Sequence, residues 1–579
     1  MKFFRKMILI KIIILVSLLL FSCGGGGQSE NGSYQLSFDK NSVDASGSMD
    51  TIQIVNGETV TLPQCEFTRP DHVFLGWSDS TDGEFAAFDA EKFTMGSENK
   101  VLYAMWDKIN SKDDFEYVIN SDDTVTIKSY IADQYDPDFD SKIVLPETIE
   151  GKPVTEIYDF YHGYGASGTK VTRLYLPANL KRISFRSEIN ANIVLENVIV
   201  DRRNTEFCSV KGVLYSKDKT RLHVVPSGRS DLVFTVPDFV RIIGKYSFTH
   251  CKNLLSIILP DTINTIEHGA FEECSGITSM ILPPLVNEVP RALFYDCTSL
   301  KSVSFRGEIL SIGGGAFAGC ISLEDITLPR TVEEIGPSAF EDCSSLLQIV
   351  IPDRVSVLER NIFASCTALT DITLPAYLKK IDNYAFDRCG SLKYLNLPAS
   401  LESLSFYGMK KLFNLQAYNV AEGNQYYSSL DGVLFNKDKT VLLSYPRNKT
   451  DLRTYVMPYS VREIKGDSEL RAFSSAKINN ILFSSSLEII GSGSFEFSSL
   501  QLVVIPDSVY EIGSQAFMSC SRLESVYFTR VLPPSLGRSA FYDNDENLKI
   551  YVPQASVDDY KNAENWSDYS AVIHGETSP

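Results

Sequence analysis

The sequence predicts a β-rich repeat solenoid preceded by a small β-rich module. Three observations predict the solenoid. Seven cysteines stand 23 residues apart, at Cys251, Cys274, Cys297, Cys320, Cys343, Cys366 and Cys389. A phenylalanine lies three residues before each, at Phe248, Phe271, Phe294, Phe317, Phe340, Phe363 and Phe386, and an apolar residue three after, from Leu254 and Ile277 to Leu392. Proline recurs at Pro260, Pro283, Pro329, Pro352, Pro375 and Pro398, with Arg306 in the remaining unit. A fixed period of this size marks a stacked array. A unit this short buries its apolar side chains only against its neighbours.

Each half of the unit has its own pattern. Leu323 to Pro329 reads as a short strand, with Ile326 and Leu328 inward and alternation at its end. Pro329 closes it, because proline cannot donate to a continuing ladder. The return brings Val332, Ile335, Ala339, Phe340 and Cys343 inward, with Gly336 at a bend. That half is expected as a short turn of helix or irregular coil. One strand plus a compact return is the plan of a leucine-rich repeat.

The pattern I-P-x-x-V-x-x-I-G-x-x-A-F-x-x-C-x-x-L resembles that of the BspA-type leucine-rich repeat family. Ile351-Pro352 through Leu369 shows it with departures; Ile505-Pro506 through Ala516-Phe517 and Cys520 shows it nearly complete. The resemblance extends over most of the chain. It implies a surface or secreted solenoid used for binding, often adhesion, with no catalytic residues to carry over.

Composition narrows the class. A chain of 579 residues exceeds one ordinary compact domain, a limit that growth in one direction escapes. The net charge of −19 opposes binding to nucleic acid, which needs clustered Lys and Arg. It is accounted for by solubility. Bridging the ladder cysteines would need specific geometry and would leave one of the seven over. They and Cys520 read as small buried thiols. No paired Cys/His spacing supports zinc, and neither metal nor cofactor is expected.

In chain order, residues 1–22 read as a signal peptide: Lys2, Arg5 and Lys6, then an apolar run from Met7 to Leu20. Leu20-Phe21-Ser22-Cys23 resembles a bacterial lipoprotein cleavage box. The resemblance implies cleavage before Cys23 and its lipidation, with residues 23–33, rich in glycine, as a flexible tether. Residues 34–107 form a β-rich module. Asn56-Gly57 there is a hairpin signal. Phe74-Leu75-Gly76-Trp77 and Leu102-Tyr103-Ala104-Met105-Trp106 resemble the Listeria–Bacteroides, or internalin B-type, repeat. That resemblance implies a ubiquitin-like, β-grasp-type module. Trp77 and Trp106 read as its core anchors, since large aromatics dominate a small core, with an exposed aromatic site as the alternative. Residues 108–114 read as a polar linker, and 115–579 as the repeat domain with a C-terminal cap. Gly212 to Thr220 returns as Gly432 to Thr440, each a β-hairpin in a modified coil. Phe473, Phe495, Phe517 and Phe541 continue the phenylalanine column. Ile550 to Pro553 and Ser556 to Trp566 resemble the family's C-terminal strand and short helix. Tyr560 and Trp566 are expected to cover the last coil, with Glu576 to Pro579 as a frayed tail.

No histidine pair, nucleophile elbow or phosphate loop stands in a catalytic context, so an enzyme is not expected. What remains is surface. The outward residues of successive strands form two columns: Ser256, Ser279, Ser302, Asp325, Gln348, Asp371 and Tyr394, then Ile258, Ile281, Ser304, Thr327, Val350, Thr373 and Asn396. At about 4.8 Å per coil they make a stripe roughly 30 Å long. The expected function is non-catalytic binding of a protein, in the host extracellular matrix or on another cell surface. The expected place is the bacterial envelope, lipid-anchored to the outer membrane and surface-exposed. The alternative is a glycan-binding or scaffolding component that uses aromatics such as Trp77 or Tyr394.

Overall fold

The computed structural model describes residues 32–576 apart from 83–84, 88–91, 132–140, 159–170, 185–194 and 450–453. The leader, Cys23 and most of the tether lie outside the described residues, as do residues 577–579. The chain divides into two compact units between Ile109 and Asn110.

The first unit is built on a five-stranded mixed sheet. Its order is Ile52–Val55, Ser33–Asp39, Lys100–Lys108, His72–Ser78 and Phe85–Ala87. The first strand, Ser33–Asp39, runs parallel to Lys100–Lys108. The Asn56-Gly57 turn forms, with Glu58 N donating to Val55 O over 2.9 Å and Gly57 at φ +78°. The expected hairpin does not. Ile52–Val55 joins the main sheet, while Thr59–Thr61 pairs with Lys92–Thr94. Gly57 N and Met95 N bond to Met95 O and Glu58 O, which commits the chain after the turn to a different partner. Trp77 is wholly buried among Phe38, Phe67 and Phe74. Trp106 is half-buried and donates from Nε1 to Lys40 O over 2.9 Å. Large aromatics dominate a small core, and Trp77 has no face left for a sugar. Lys108 ends a strand and Lys112–Asp114 forms a capped 3-10 turn, so the span expected as a linker carries regular structure at both ends.

The second unit is a solenoid of about 17 turns. Most regular coils carry two short strands, not one. The first lies where the sequence places it, as in Ser279–Leu282 beside Ser302–Phe305. The second opens the return half, as in Ser311–Ile312 beside Glu334–Ile335, and corrects the helical or irregular expectation there. Inward residues three apart suit a helix or a bent strand. Bonds between equivalent backbone groups of adjacent coils decide it, as in Glu333 N to Leu310 O (2.8 Å) and Gly336 N to Ile312 O (2.8 Å). Gly336 serves close stacking: a Cβ there would lie 2.5 Å from Gly314 N. A second correction concerns Leu323 to Leu328. Its side chains alternate as expected, Ile326 and Leu328 buried and Asp325 and Thr327 exposed, yet it forms no ladder strand. Alternation reports which side chains face in, not whether the backbone pairs.

The rest of the return is a chain of turns. Two residues per coil adopt left-handed backbone: Gly269 and Glu273, Ala292 and Asp296, Gly315 and Gly319, Ser338 and Asp342. Most carry a side chain, an uncommon placement for non-glycine residues. Inter-coil bonds hold it, as in Phe294 N to Ala316 O and Phe317 N to Ala339 O, both 2.8 Å. The phenylalanines between the two left-handed residues stack along the array. Ring centroids lie 5.2 to 6.0 Å apart from Phe271 to Phe386 and 4.7 to 5.3 Å apart from Phe473 to Phe541.

The matching segments at Gly212 and Gly432 are β-hairpins, Val213–Ser216 with Arg221–Val224 and Val433–Asn436 with Val441–Ser444. Each has a third strand in front, Phe207–Val210 or Tyr427–Leu430. Each also partitions the core. Leu214 and Val224 pack with the preceding apolar cluster, Val213 and Tyr215 with the next. Leu434 belongs to the middle cluster, Val433 and Phe435 to the last. At the C-terminus, Lys549–Pro553 and helix Val557–Asn562 follow the last coil. Tyr560 and Trp566 are buried, and Trp566 Nε1 donates to Pro534 O over 2.8 Å. Ile573–Glu576 adds a further parallel strand, so Glu576 is paired with Pro553 and not frayed.

Candidate protein-binding face

The solenoid's strands position the outward columns. One inward apolar residue between two outward ones, from Ile257 and Met280 to Leu395, anchors each strand, so its neighbours face solvent. Ser279, Ser302, Asp325, Gln348, Asp371 and Tyr394 are exposed, and Ser256 is half-buried. Ile258, Ile281, Ser304, Thr327, Val350, Thr373 and Asn396 are exposed. Ladder register sets Ser279 beside Ser302, Ile281 beside Ser304, Gln348 beside Asp371 and Val350 beside Thr373. Asp325 and Thr327 lie between these pairs on the stretch without a ladder. Tyr394 spends its hydroxyl on Gln416 Oε1 (2.9 Å), and Asn396 accepts from Asn419 Nδ2 (2.8 Å). This face is mostly polar, with Ile258 and Ile281 exposed on successive coils and Val350 apart from them.

A second outward column lies beyond the columns read from the sequence. Thr454–Val456, Asn480–Leu482, Leu502–Ile505, Ser525–Phe528, Lys549–Pro553 and Ile573–Glu576 form one unbroken six-stranded parallel sheet. Its outward column is Val456, Leu482, Val504, Tyr527, Tyr551 and His574. Val456 is 65% exposed, Leu482 57% and Val504 44%. The Tyr527 and Tyr551 rings stack at 4.7 Å and 13°, which uses their faces and leaves their edges to solvent. A column read at one fixed step misses this stripe, because the step from Val456 to Leu482 is longer than that of the ladder and the step from Leu482 to Val504 is shorter. The available signal was the unbroken apolar run Leu502-Val503-Val504-Ile505, since a strand buried on one side must turn half of such a run outward.

The interior is chemically quiet. None of the ten described cysteines is in a disulfide. From Cys274 to Cys389 each ladder thiol reaches the carbonyl of the phenylalanine 26 residues earlier, as Cys320 Sγ does Phe294 O at 3.1 Å. Asn544 makes the same contact where cysteine is replaced, donating from Nδ2 to Phe517 O over 3.0 Å. The cysteine is therefore a small donor as well as a small apolar residue. Burial pushes the Cys251 and Cys389 thiols up to about 12 and the other ladder thiols well up, which suppresses the reactive thiolate. In the turns, burial together with Glu273 and Asp296 pushes the Glu272 carboxyl up to about 7. Among the described residues no group of three or more potential ligands could hold a metal ion, and no helix is long and apolar enough to cross a membrane.

Comparison with known proteins follows this geometry. Residues 232–347, 333–455 and 445–563 match the family model described as "BspA type Leucine rich repeat region". Residues 34–105 match the "Listeria-Bacteroides repeat domain". No curated protein matches. Among solved structures, a leucine rich cell surface protein from Faecalibacterium prausnitzii A2-165 is 19% identical, covering 82% of this chain and 96% of its own, with a TM-score of 0.39. A leucine-rich repeat protein from Bacteroides ovatus is 22% identical, covering 64% and 98%, with a TM-score of 0.42. The pneumococcal vaccine antigen PcpA is 21% identical, covering 64% and 97%, with a TM-score of 0.35. With its repeats matched from residue 232 to residue 563, its stacked coils and its outward sheet face, the chain belongs to the BspA-type leucine-rich repeat family, whose fold is a protein-interaction solenoid.

Proposed function

We propose that this chain is a non-catalytic surface lipoprotein that binds other proteins through the outward sheet face of its solenoid, in adhesion to a host matrix or another cell. The observation that carries this reading is the solvent-facing ladder of strands, a rigid surface repeated coil by coil. The basic, then apolar leader and the box ending at Cys23 support anchoring to the envelope, with the outer membrane as the site. On this reading residues 23–33 are the tether, 34–107 a spacer, 108–114 the joint and 115–579 the binding domain. The glycan alternative loses its strongest aromatic, since Trp77 is buried.

The test is protease shaving of intact cells, followed by detection of the repeats and a binding screen against matrix proteins. Loss of the repeats without lysis, with saturable binding to a matrix protein, is the expected result. Protection until lysis would sink the adhesion reading and leave an internal scaffold. For the anchor, acyl labelling is expected on the native chain and lost in Cys23→Ser. Labelling that survives the substitution would overturn it.

A further inference from the structure

A cleft beside Arg447, next to the second hairpin coil, deepens the protein-binding reading and rests on it. We infer that this cleft seats a carboxylate of the partner protein, carried on an Asp or Glu side chain. Arg447 is half-buried and lines the cleft. Among the described residues its guanidinium has no carboxylate partner. What it meets is the ring of Phe413, 5.3 Å from Cζ to the centroid and 57% exposed. Burial pulls the pKa of Arg447 below its ordinary value. The other charged residues of the lining are engaged elsewhere: Arg471 pairs with Glu496, and Glu469 accepts from the Tyr407 hydroxyl. A charge withdrawn from water without a partner is costly, and an anion drawn into the cleft offsets that cost.

The cleft is made by departures from the regular coil. The 3-10 turn Met409–Lys411 contributes Met409 to the lining. A loop closed by the bridge between Gly466 and Arg471 contributes Leu470 and Arg471, where the run from Ile464 to Phe473 is longer than its counterpart from Ile490 to Phe495. Tyr418 and Ser444 line the cleft as well, their hydroxyls 3.0 Å apart. One hydroxyl donates to the other, which leaves one O–H of the pair to donate to a ligand. The hairpin coil does not need the arginine. The matching coil carries Ser227 there, each residue following a proline, Pro226 or Pro446. A guanidinium fork suits carboxylate and phosphate alike, and room decides between them. The interior holds about 20 Å³, enough for one water-sized group. A carboxylate oxygen fits that space, and a phosphate with its four oxygens does not. Arg and Phe are both enriched at protein interfaces, which favours an acid borne by a protein over a free one.

The test uses the full mature chain, labelled at arginine Cζ and followed by NMR, with the Arg447 signal assigned by its loss in Arg447→Gln. The probe is N-acetylglutamate methylamide, which presents its carboxylate as a protein does. N-acetylglutamine methylamide is the neutral control, and acetate and inorganic phosphate stand for other anions. The expected result is a saturable shift of the Arg447 signal with the glutamate probe. The glutamine control and Ser444→Ala should each bind at least about tenfold more weakly, and the signal of Arg354, paired with Glu333, should not saturate. Arg447→Gln should leave the melting midpoint unchanged or higher; a marked fall would make the arginine a structural prop and overturn the inference. No saturable shift, equal binding of the glutamine control, or tighter binding of phosphate or acetate than of the glutamate probe would overturn it too. A matrix protein found in the binding screen should bind Arg447→Gln at least about tenfold more weakly and Arg354→Gln as it binds the native chain. Undiminished binding to Arg447→Gln would sink the carboxylate seat and leave the protein-binding reading standing. Cell shaving and the screen read that wider function without the cleft.

Discussion

The middle and C-terminal parts of the solenoid use the same coil for different surfaces. From Cys251 to Cys389 the repeat keeps a strict step of 23 residues, yet its outward ladder is broken into two-stranded pieces with mostly Ser, Thr, Asp and Gln outside. From Thr454 onward the step varies, yet six strands join into one sheet with Val, Leu and Tyr outside. Sequence regularity and backbone continuity are therefore separate properties. The first is kept by the inward positions, where Phe must meet Phe and Cys must reach a carbonyl. The second depends on strand residues, which the inward pattern leaves free. The partition hairpin at Val433–Ser444 separates the two regions and gives each its own apolar cluster.

That separation can be broken by substitution. Phe317→Ala and Phe517→Ala each empty a stacked, buried site and should each cost about 3–5 kcal/mol. In urea, the expected result is two transitions, each variant lowering a different one. A single transition lowered equally by both would show that the hairpin does not divide the core. Asn424→Ala attacks the partition coil. Its Nδ2 donates to Pro398 O and Leu401 O, and its Oδ1 accepts from Tyr426 N and Tyr427 N, all within 3.0 Å. Losing that set should cost about 2–3 kcal/mol, and calorimetry should show both neighbouring regions loosened.

Smaller effects sharpen the comparison. Cys320→Ala removes one of two donors to Phe294 O, the other being Cys297 N at 3.1 Å, and should cost about 1 kcal/mol. Alkylation of the native chain should leave the ladder thiols unlabelled, and labelling before unfolding would contradict their burial. Glu272 gives the smallest and most local effect. Its folded value of about 7 lies above its ordinary 4.5, so its contribution is fully present below about 4.5 and is lost as pH rises through 7. Glu272→Gln should raise the midpoint of the middle region at pH 8 and leave it unchanged at pH 4. No pH dependence of that difference would refute the shift.

The inward half of the fold was legible in the sequence because one dimension of packing repeats it. Phe, Cys and Leu at fixed offsets name their own neighbours, and Tyr560 and Trp566 sit over the last coil as their sequence context implies. The second strand of each coil was not legible, since two residues carry no alternation. The left-handed turn positions were half visible, written as Gly269, Gly315 and Gly319 but hidden where Glu273 or Ser338 stands. The strands around Asn56-Gly57, each paired elsewhere, show that a turn signal fixes a reversal and not a partner. The apolar stripe was missed because its coils vary in length, so its members share a face without sharing an offset.

The coil-to-coil hydrogen bonds also determine how such a molecule would bear load. Pulling its two ends apart opens those bonds one coil at a time, as a zip does, where shear would load many at once. A freed coil of 23 residues releases about 75 Å of extended chain. Under tension such a molecule would lengthen in a series of small yields, one coil at a time.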